Sequence, residues 1–293
     1  MRDGRSREVE RTEDCEEDGT IMSEQGGEVV IEISELHKSY GRTVAVQGVS
    51  LTVEAGRILG LVGPNGAGKT TIIRAACGIH PPTQGRIRIA GHDVVKEPVA
   101  AKRELAYVPD DPHLFGTLTV WEHLQFTASA YGVQDGLEEA GRRLLDQFEL
   151  TAKRSTMAQE LSRGMRQKVA ICCAYLHRPR ALFLDEPLTG LDPKGIRTMK
   201  DSIRQWAARG TAVVISSHLL SLVEDMCSDL LVLHHGRRLY MGALAALREA
   251  EGCGDASETL EDIFLRMTDD SGASSPGASS PGAASAGVEA GDA

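Results

Sequence analysis

The 293-residue sequence lacks an apolar run that approaches the roughly 18–20 residues needed by a membrane-spanning helix, so it predicts no transmembrane segment. Its N-terminus is charged and leads into acidic residues, without the apolar stretch of a signal peptide. Six cysteines show neither metal-ligand spacing nor the dense pattern of a small secreted domain, so most should be reduced and buried. Together these absences predict a cytosolic protein.

The sequence also has no excess of basic side chains, with 32 Lys and Arg against 42 Asp and Glu. The acidic excess lies at the two ends. Residues 1–28 hold 10 acidic and 4 basic side chains, and residues 269–293 hold 4 acidic and no basic ones. The segment between them is therefore neutral, which argues against a partner such as nucleic acid that is bound through clustered Lys and Arg.

Composition divides the chain into three parts. Residues 1–28 are acidic and nearly free of large apolar side chains, which predicts a disordered extension, and Met22 is a possible alternative start. Residues 269–293 contain a Gly-Ala-Ser-Ser-Pro repeat and predict a disordered, flexible tail. Residues 29–268 are long enough to bury one good-sized core and predict a single folded domain.

The folded part alternates short apolar runs with helical periodicity. Three runs are apolar on both faces, as in buried parallel strands: residues 58–62, 181–184 and 212–215. They predict an α/β fold with a largely parallel sheet. Residues from about 98 to 175 lack such runs and predict an inserted helical subdomain, whereas the apolar segments around His235 and Gly236 predict an antiparallel hairpin.

One segment matches the phosphate-binding loop G-x-x-x-x-G-K-[ST], and it stands between a predicted strand and a predicted helix. Its residues are Gly63, Pro64, Asn65, Gly66, Ala67, Gly68, Lys69 and Thr70. Glycines allow backbone N–H groups to surround phosphates, and a helix N-terminus adds a favourable dipole. Lys69 is expected to reach the β- and γ-phosphates and Thr70 to ligate Mg²⁺, while the next residue, Thr71, completes the set of phosphate-loop candidates.

A pair of carboxylates follows the apolar run 181–184. Asp185 is expected to hold Mg²⁺ directly or through water, and Glu186 is expected to polarise the attacking water as a general base. Acidic residues often end strands, so the pair is weak evidence by itself. Combined with the phosphate loop, it predicts a nucleoside triphosphatase.

Residues 161–167, Leu-Ser-Arg-Gly-Met-Arg-Gln, resemble the signature motif of the ABC-type ATPases. Ser162 and the Gly164 backbone are expected to open a helix and to form a second anion-binding N-terminus. The resemblance implies that this end closes over the γ-phosphate of a nucleotide held by the opposite subunit. The implied assembly is a head-to-tail homodimer that encloses two ATP molecules.

Other positions also resemble family residues. Tyr40 resembles the aromatic side chain that stacks on adenine, although a core or turn tyrosine is the alternative. Asp192, in Gly-Leu-Asp, resembles the loop that communicates between the paired sites. His218 resembles the switch histidine that contacts the γ-phosphate and orients water.

The sequence departs from the family pattern at two positions. Asp110 stands about where the family has a glutamine that approaches Mg²⁺, and the adjacent Asp111 leaves the register open. Arg163 replaces a glycine of the signature, and together with Met165 it resembles the drug-resistance and export class. The side chain of Arg163 either adds a cation near the shared phosphate or points to solvent.

The resemblance implies an ATP-hydrolysing subunit that energises a separate integral membrane permease, acts in export, and lies on the cytoplasmic face of the membrane through that permease. Trp121, in the segment 118–122, is either a docking anchor for the permease or a partly buried helix residue. The alternative function is a soluble ABC ATPase that acts on ribosomes or DNA. A non-hydrolysing binding module is disfavoured because Glu186 and His218 are both present.

Overall fold

Strands and helices alternate along much of the chain, and the longest interval between successive strands lies between residues 108 and 181. The computed structural model describes residues 27–250 and 259–272. Its strands are β1 (Val29–Tyr40), β2 (Thr43–Glu54), β3 (Ile58–Val62), β4 (Gln84–Ile89), β5 (His92–Asp93), β6 (Leu105–Val108), β7 (Ala181–Asp185), β8 (Ala212–Ser216), β9 (Asp229–His234) and β10 (Arg237–Ala243). Its helices are α1 (Lys69–Ala76), α2 (Pro98–Glu104), α3 (Val120–Tyr131), α4 (Leu137–Gln147), α5 (Arg163–Leu176), α6 (Pro193–Ala208), α7 (Leu220–Met226), α8 (Leu244–Ala250) and α9 (Leu260–Gly272).

The larger sheet has the strand order β10-β9-β3-β8-β7-β6. Neighbouring strands of this sheet are parallel from β9 to β6, and β10 is antiparallel to β9. Every residue of β3, β7 and β8 is buried, which explains why these strands are apolar on both faces. The parallel sheet and the β9–β10 hairpin confirm the predicted α/β class.

The smaller sheet is antiparallel, with the order β2-β1-β4-β5. Its apolar face and one face of the larger sheet enclose a core in which α1 lies, with Leu36, Leu61 and Ile73 fully buried. A second core lies between the other face of the larger sheet and the helices, around Phe148 and Tyr175. The helix that follows the phosphate loop is thus fixed between two sheets.

The prediction that residues 98–175 lack strands is wrong in one respect. Leu105–Val108 forms β6, an edge strand that pairs in parallel with β7. The run is only four residues long and follows α2 directly. It is therefore too short to show a strand pattern distinct from that of the adjacent helix. The helical part therefore begins after β6, and β6 leads directly to Asp110.

Helix α9 continues to Gly272 and so includes the first four residues of the predicted tail. Residues 1–26 of the predicted extension and residues 273–293 of the predicted tail lie outside the described residues. None of the helices in the described segments combines the length and apolar character needed to cross a bilayer. Burial raises the pKa of the Cys227 thiol to about 12, so this free cysteine stays protonated at neutral pH.

Candidate functional site

The phosphate loop crosses from the carboxyl end of β3 to the start of α1. Gly66 and Gly68 both have positive φ values, of 82° and 107°, which favour glycine. A Cβ on Gly68 would lie 2.7 Å from the carbonyl oxygen of Ala45, and one on Gly63 would lie 2.4 Å from that of Leu233. The loop therefore needs glycine at these positions both for its turn and for the close approach of neighbouring backbone.

The start of α1 has an open set of backbone donors. Its N-cap is Gly68, and no side chain caps the helix. The first N–H groups of an α-helix have no partner within the helix, and they attract anions. An uncapped helix end at the rim of a cavity is suited to phosphate.

Lys69 is buried and turns back onto its own loop. Its Nζ donates to the carbonyl oxygens of Gly63 at 2.6 Å and Pro64 at 3.3 Å. Burial lowers the pKa of Lys69, and the nearby carboxylates of Glu186 and Asp185 oppose that shift. A charged ammonium held by carbonyl oxygens is positioned to exchange them for phosphate oxygens.

The carboxyl end of β7 places Asp185 at the base of the same cavity. Its side chain is buried and accepts a short hydrogen bond from the Ser216 hydroxyl at the end of β8. The two strands are paired in parallel at these residues. Sequence reasoning missed Ser216, although its position at the end of an apolar run was the available signal.

Glu186 follows in a left-handed conformation with a φ of 50°, which is uncommon for a residue with a side chain. Its N–H donates to the carbonyl oxygen of Ser216 at 3.0 Å, which fixes this turn across to β8. Its Oε2 lies 2.9 Å from Nδ1 of His218. The carboxylate is mostly buried and the histidine mostly exposed, so the pair connects the cavity to the surface.

A cavity of about 300 Å³ brings together ten residues that the sequence predicted for the site and one that it did not indicate. Its lining comprises Ala45, Asn65, Gly66, Ala67, Gly68, Lys69, Thr70, Thr71, Asp110, Asp185 and Glu186. Ala45 is the unexpected one, because only the packing of β2 against the loop brings it there. Asp110 reaches this lining, as expected for the position at which the family has its glutamine.

Tyr40 is not among the residues that line the cavity. It lies at the end of β1, where it pairs with Thr43 across the hairpin, two residues before Ala45. The ring is 44% exposed and meets His80 edge-on, with the centroids 5.8 Å apart. This exposure excludes a core tyrosine, whereas the position at the hairpin agrees with a turn tyrosine. Adenine stacking stays a prediction.

The signature residues lie outside the cavity too. Ser162 is the N-cap of α5, and its Oγ accepts from the Met165 N–H at 3.3 Å. A Cβ on Gly164 would lie 2.4 Å from the carbonyl oxygen of Gly190, so only glycine permits this approach. Within one chain, the structure places the signature beside the loop of Gly190 instead of beside the phosphate loop.

Asp192 ends that loop and caps α6. Its Oδ1 accepts from the Gly195 N–H at 3.3 Å and lies 3.8 Å from Nζ of Lys168 on α5. Asp192 is therefore also absent from the cavity lining, and it connects α5 to α6. Its predicted role between paired sites remains a prediction.

Arg163 does not point freely into solvent. Its Nη2 donates to Oδ1 of Asp110 at 2.8 Å, so the two positions that depart from the family pattern contact each other.

Trp121 likewise has a contact that the sequence did not indicate. Its ring packs against the core and lies 3.7 Å from the guanidinium carbon of Arg154.

The cavity has the oxygen donors that a hard cation prefers: the Thr70 hydroxyl and the carboxylates of Asp110, Asp185 and Glu186. In the described part of the chain, no three His, Cys, Asp or Glu side chains form a preassembled metal cluster. This donor set fits Mg²⁺, which commonly binds through one or two protein oxygens, water and substrate phosphates.

Comparison with known proteins agrees with this geometry. Residues 46–189 match the family model described as "ABC transporter". The chain is 35% identical over 240 residues to the ABC-type transporter ATP-binding protein EcsA of Bacillus subtilis, which covers 82% of this chain and 96% of that protein. It is 34% identical over 234 residues to the Nod factor export ATP-binding protein I of Sinorhizobium fredii, covering 79% and 68% of the two chains.

A solved structure described as the ATP-binding subunit of an ABC transporter has a similar fold. It superimposes with a TM-score of 0.77 at 33% sequence identity and covers 81% of this chain and 99% of its own. This similarity confirms both the fold class and the family that the signature residues indicated.

Proposed function

This chain belongs to the ABC transporter family as an ATP-binding subunit, in a family that hydrolyses ATP, and we propose that it energises export through a permease on a separate chain. The observation that carries the proposal is the cavity in which Lys69, Asp185 and Glu186 converge. The similarity to a Nod factor export protein supports export over import. The nucleotide that ATPases of this family bind is ATP.

The proposed hydrolysis follows from the positions of three side chains and of the backbone N–H groups of α1. Lys69 leaves the loop carbonyls for the β- and γ-phosphates, while the open N–H groups of α1 bind the same phosphates. Glu186 accepts a proton from the attacking water. His218, 2.9 Å from the Glu186 carboxylate, orients that carboxylate and contacts the γ-phosphate.

Thr70 and Asp185 would hold Mg²⁺, with Asp110 contributing directly or through water. Bound Mg²⁺ neutralises charge that develops on the phosphates. Ser216 donates to Asp185 and fixes the orientation of that carboxylate. Such support for a ligand commonly tunes the affinity of a site for its cation.

The assembly that we propose is a head-to-tail homodimer. Ser162 and Gly164 lie outside the cavity of their own chain, so a second chain has to supply a signature to each ATP. Tyr40 would stack on adenine, and Asp192 would contact the loop of the opposite chain. Closure on ATP and reopening after hydrolysis would drive the permease between its two states.

The permease is expected to contact the surface around the start of α3. Trp121 is largely occupied by core packing and by Arg154, so it is the weaker anchor. Phe115 and Phe126 are 56% and 55% exposed, and their ring centroids are 5.4 Å apart. An exposed aromatic pair beside the predicted docking segment supports a contact with an apolar helix of the permease. Through it, the protein would lie on the cytoplasmic face of the membrane.

Recovery of the protein from gently solubilised native membranes would test this proposal. We expect a multi-helix membrane protein to be recovered with it, and to be lost after a Phe126→Ser substitution that leaves ATP hydrolysis intact. Val99→Ser, at another exposed apolar position, is the matched control and should keep the partner. Recovery with ribosomes or DNA, or with no membrane protein, would overturn the transport assignment and leave the ATPase chemistry in place.

A further inference from the structure

The sequence departs from its family at two positions, and the structure joins them. Nη2 of Arg163 donates to Oδ1 of Asp110 at 2.8 Å and lies 3.5 Å from the carbonyl oxygen of the same residue. Both side chains are about half exposed. Exposed ion pairs stabilise folds only weakly, so the significance of this pair has to come from where it lies.

Asp110 belongs to the ATP cavity. It follows β6, and it lines the cavity together with Lys69 and Asp185. Arg163 belongs to the signature, as the first residue of α5 directly after the Ser162 cap. The ion pair is thus a direct connection, within one chain, between the ATP cavity and the helix end that faces the opposite ATP.

Two further contacts hold the same helix end. The Cδ of Arg163 would lie 3.3 Å from a Cβ placed on Gly190, so its methylene groups pack against the loop that ends in Asp192. One turn along α5, Nε2 of the buried Gln167 lies 3.4 Å from the carbonyl oxygen of Pro109. Arg163 consequently contacts both the segment that lines the cavity and the loop predicted to communicate between sites.

We propose that Asp110 and Arg163 form one positioning pair that couples the occupancy of the ATP cavity to the placement of Ser162. Mg²⁺ and Arg163 both attract the Asp110 carboxylate, so Mg–ATP weakens the pair and releases the start of α5. A glutamine at position 110 carries no charge to share, and a glycine at position 163 has no side chain to reach it. The two departures are therefore matched. The coupling rests on the proposed function, although the pair itself does not.

Hydrogen–deuterium exchange of the full chain without nucleotide tests the pair alone. Asp110→Gln keeps an oxygen for the cation and removes the charge, and it should raise amide exchange in the first turn of α5 about three- to tenfold. Arg163→Gln should raise exchange at residues 110–111 by a similar factor. In the double variant, exchange in each segment should be no faster than in the corresponding single variant. Arg163→Lys should restore most of the protection.

Arg143→Gln provides a matched control, because it removes an exposed pair with Glu139 that contacts neither segment. It should leave exchange at both segments unchanged. Changes confined to the segment that carries each substitution would overturn the pair. So would independent, additive effects in the double variant.

Adding Mg–ATP to the Glu186→Gln chain, which should bind ATP without hydrolysing it, tests the coupling when the protein is dilute enough to remain monomeric, because a closed dimer would itself cover the start of α5. Exchange at the first turn of α5 should rise when Arg163 is intact and should stay unchanged in the Arg163→Gln background. An equal rise in both backgrounds would overturn the coupling. ATP binding measured on the same samples separates this result from failure of the proposed function, in which neither background would bind nucleotide.

Discussion

Two helix N-termini in this molecule, those of α1 and α5, differ in how they are capped. The start of α1 has a left-handed glycine as its N-cap and no side-chain cap, so its donors stay open toward the cavity. The start of α5 is capped by Ser162, whose Oγ accepts from Met165. The first end is buried between two sheets, whereas the second lies at the surface of the helical part.

Under the proposed function, this difference assigns the two helix ends to different halves of an ATP site. Lys69, Asp185 and Glu186 line the cavity at the end of α1 within one chain, so we expect that half to be sufficient to bind ATP. The end of α5 has no such surroundings in its own chain. It should therefore affect hydrolysis through a second subunit, and substitutions in the two halves should differ in what they abolish.

The largest effect is expected from Glu186→Gln, in the half that surrounds α1. Loss of the general base should slow hydrolysis roughly 10²–10⁴-fold. ATP binding should be retained, because the Lys69 ammonium and the N–H groups of α1 that bind phosphate remain. Steady-state phosphate release and equilibrium ATP binding measure the two properties separately. Near-normal turnover would remove Glu186 from the role of base.

Lys69→Ala should have the next largest effect, and it should act on binding. A charge-assisted hydrogen bond is worth about 1.5–3 kcal/mol, which corresponds to roughly 10–100-fold weaker ATP binding. Titration with a fluorescent ATP analogue would measure it. An unchanged dissociation constant would contradict the expected exchange of loop carbonyls for phosphates.

Tyr40→Ala tests whether the part of the ATP site around α1 also includes Tyr40, outside the cavity, as a contact for the adenine base. Stacking on an aromatic ring contributes about 1–3 kcal/mol. Binding of ATP should weaken accordingly, and binding of inorganic triphosphate should not change. Tyr40→Phe is the control and should bind ATP normally, whereas an equal loss for both ligands would assign Tyr40 a structural role.

Ser162→Ala should have a smaller effect, and a different one. Loss of the cap should lower the free energy of unfolding by about 1 kcal/mol, and ATP binding to the isolated chain should not change. Ser162→Asn, which can still cap the helix, should keep the stability. Chemical denaturation and ATP titration of both variants would check this, and weaker ATP binding in Ser162→Ala would contradict the division into halves.

The smallest effect near neutral pH concerns the charge of Lys69. Burial lowers its pKa, so Lys69 loses its proton at a lower pH than an ordinary lysine, and ATP affinity should begin to fall correspondingly earlier as the pH rises. ATP titrations across the alkaline range would measure this decline. Lys69→Arg, which keeps its charge, should show a flatter profile.

The sequence predicted the fold class, and it indicated most residues that the structure gathers around one cavity, because both depend on local patterns. The doubly apolar runs become the buried strands β3, β7 and β8, and the loop and carboxylates follow them directly. Strand β6 was missed because four residues after a helix carry little periodicity. Ala45 and the Asp110–Arg163 pair were missed because they depend on tertiary packing between segments that are distant in the chain.

The most direct test of the two-half account mixes two variants, each impaired in a different half of the site. Lys69→Ala removes the cavity half and keeps the signature, while Gly164→Ala places a Cβ against the Gly190 carbonyl and disrupts the signature half. A mixed dimer then contains one site in which both halves are intact. We predict that the mixture hydrolyses ATP well above the sum of the two variants measured alone. Hydrolysis equal to that sum would contradict an ATP site shared between two chains.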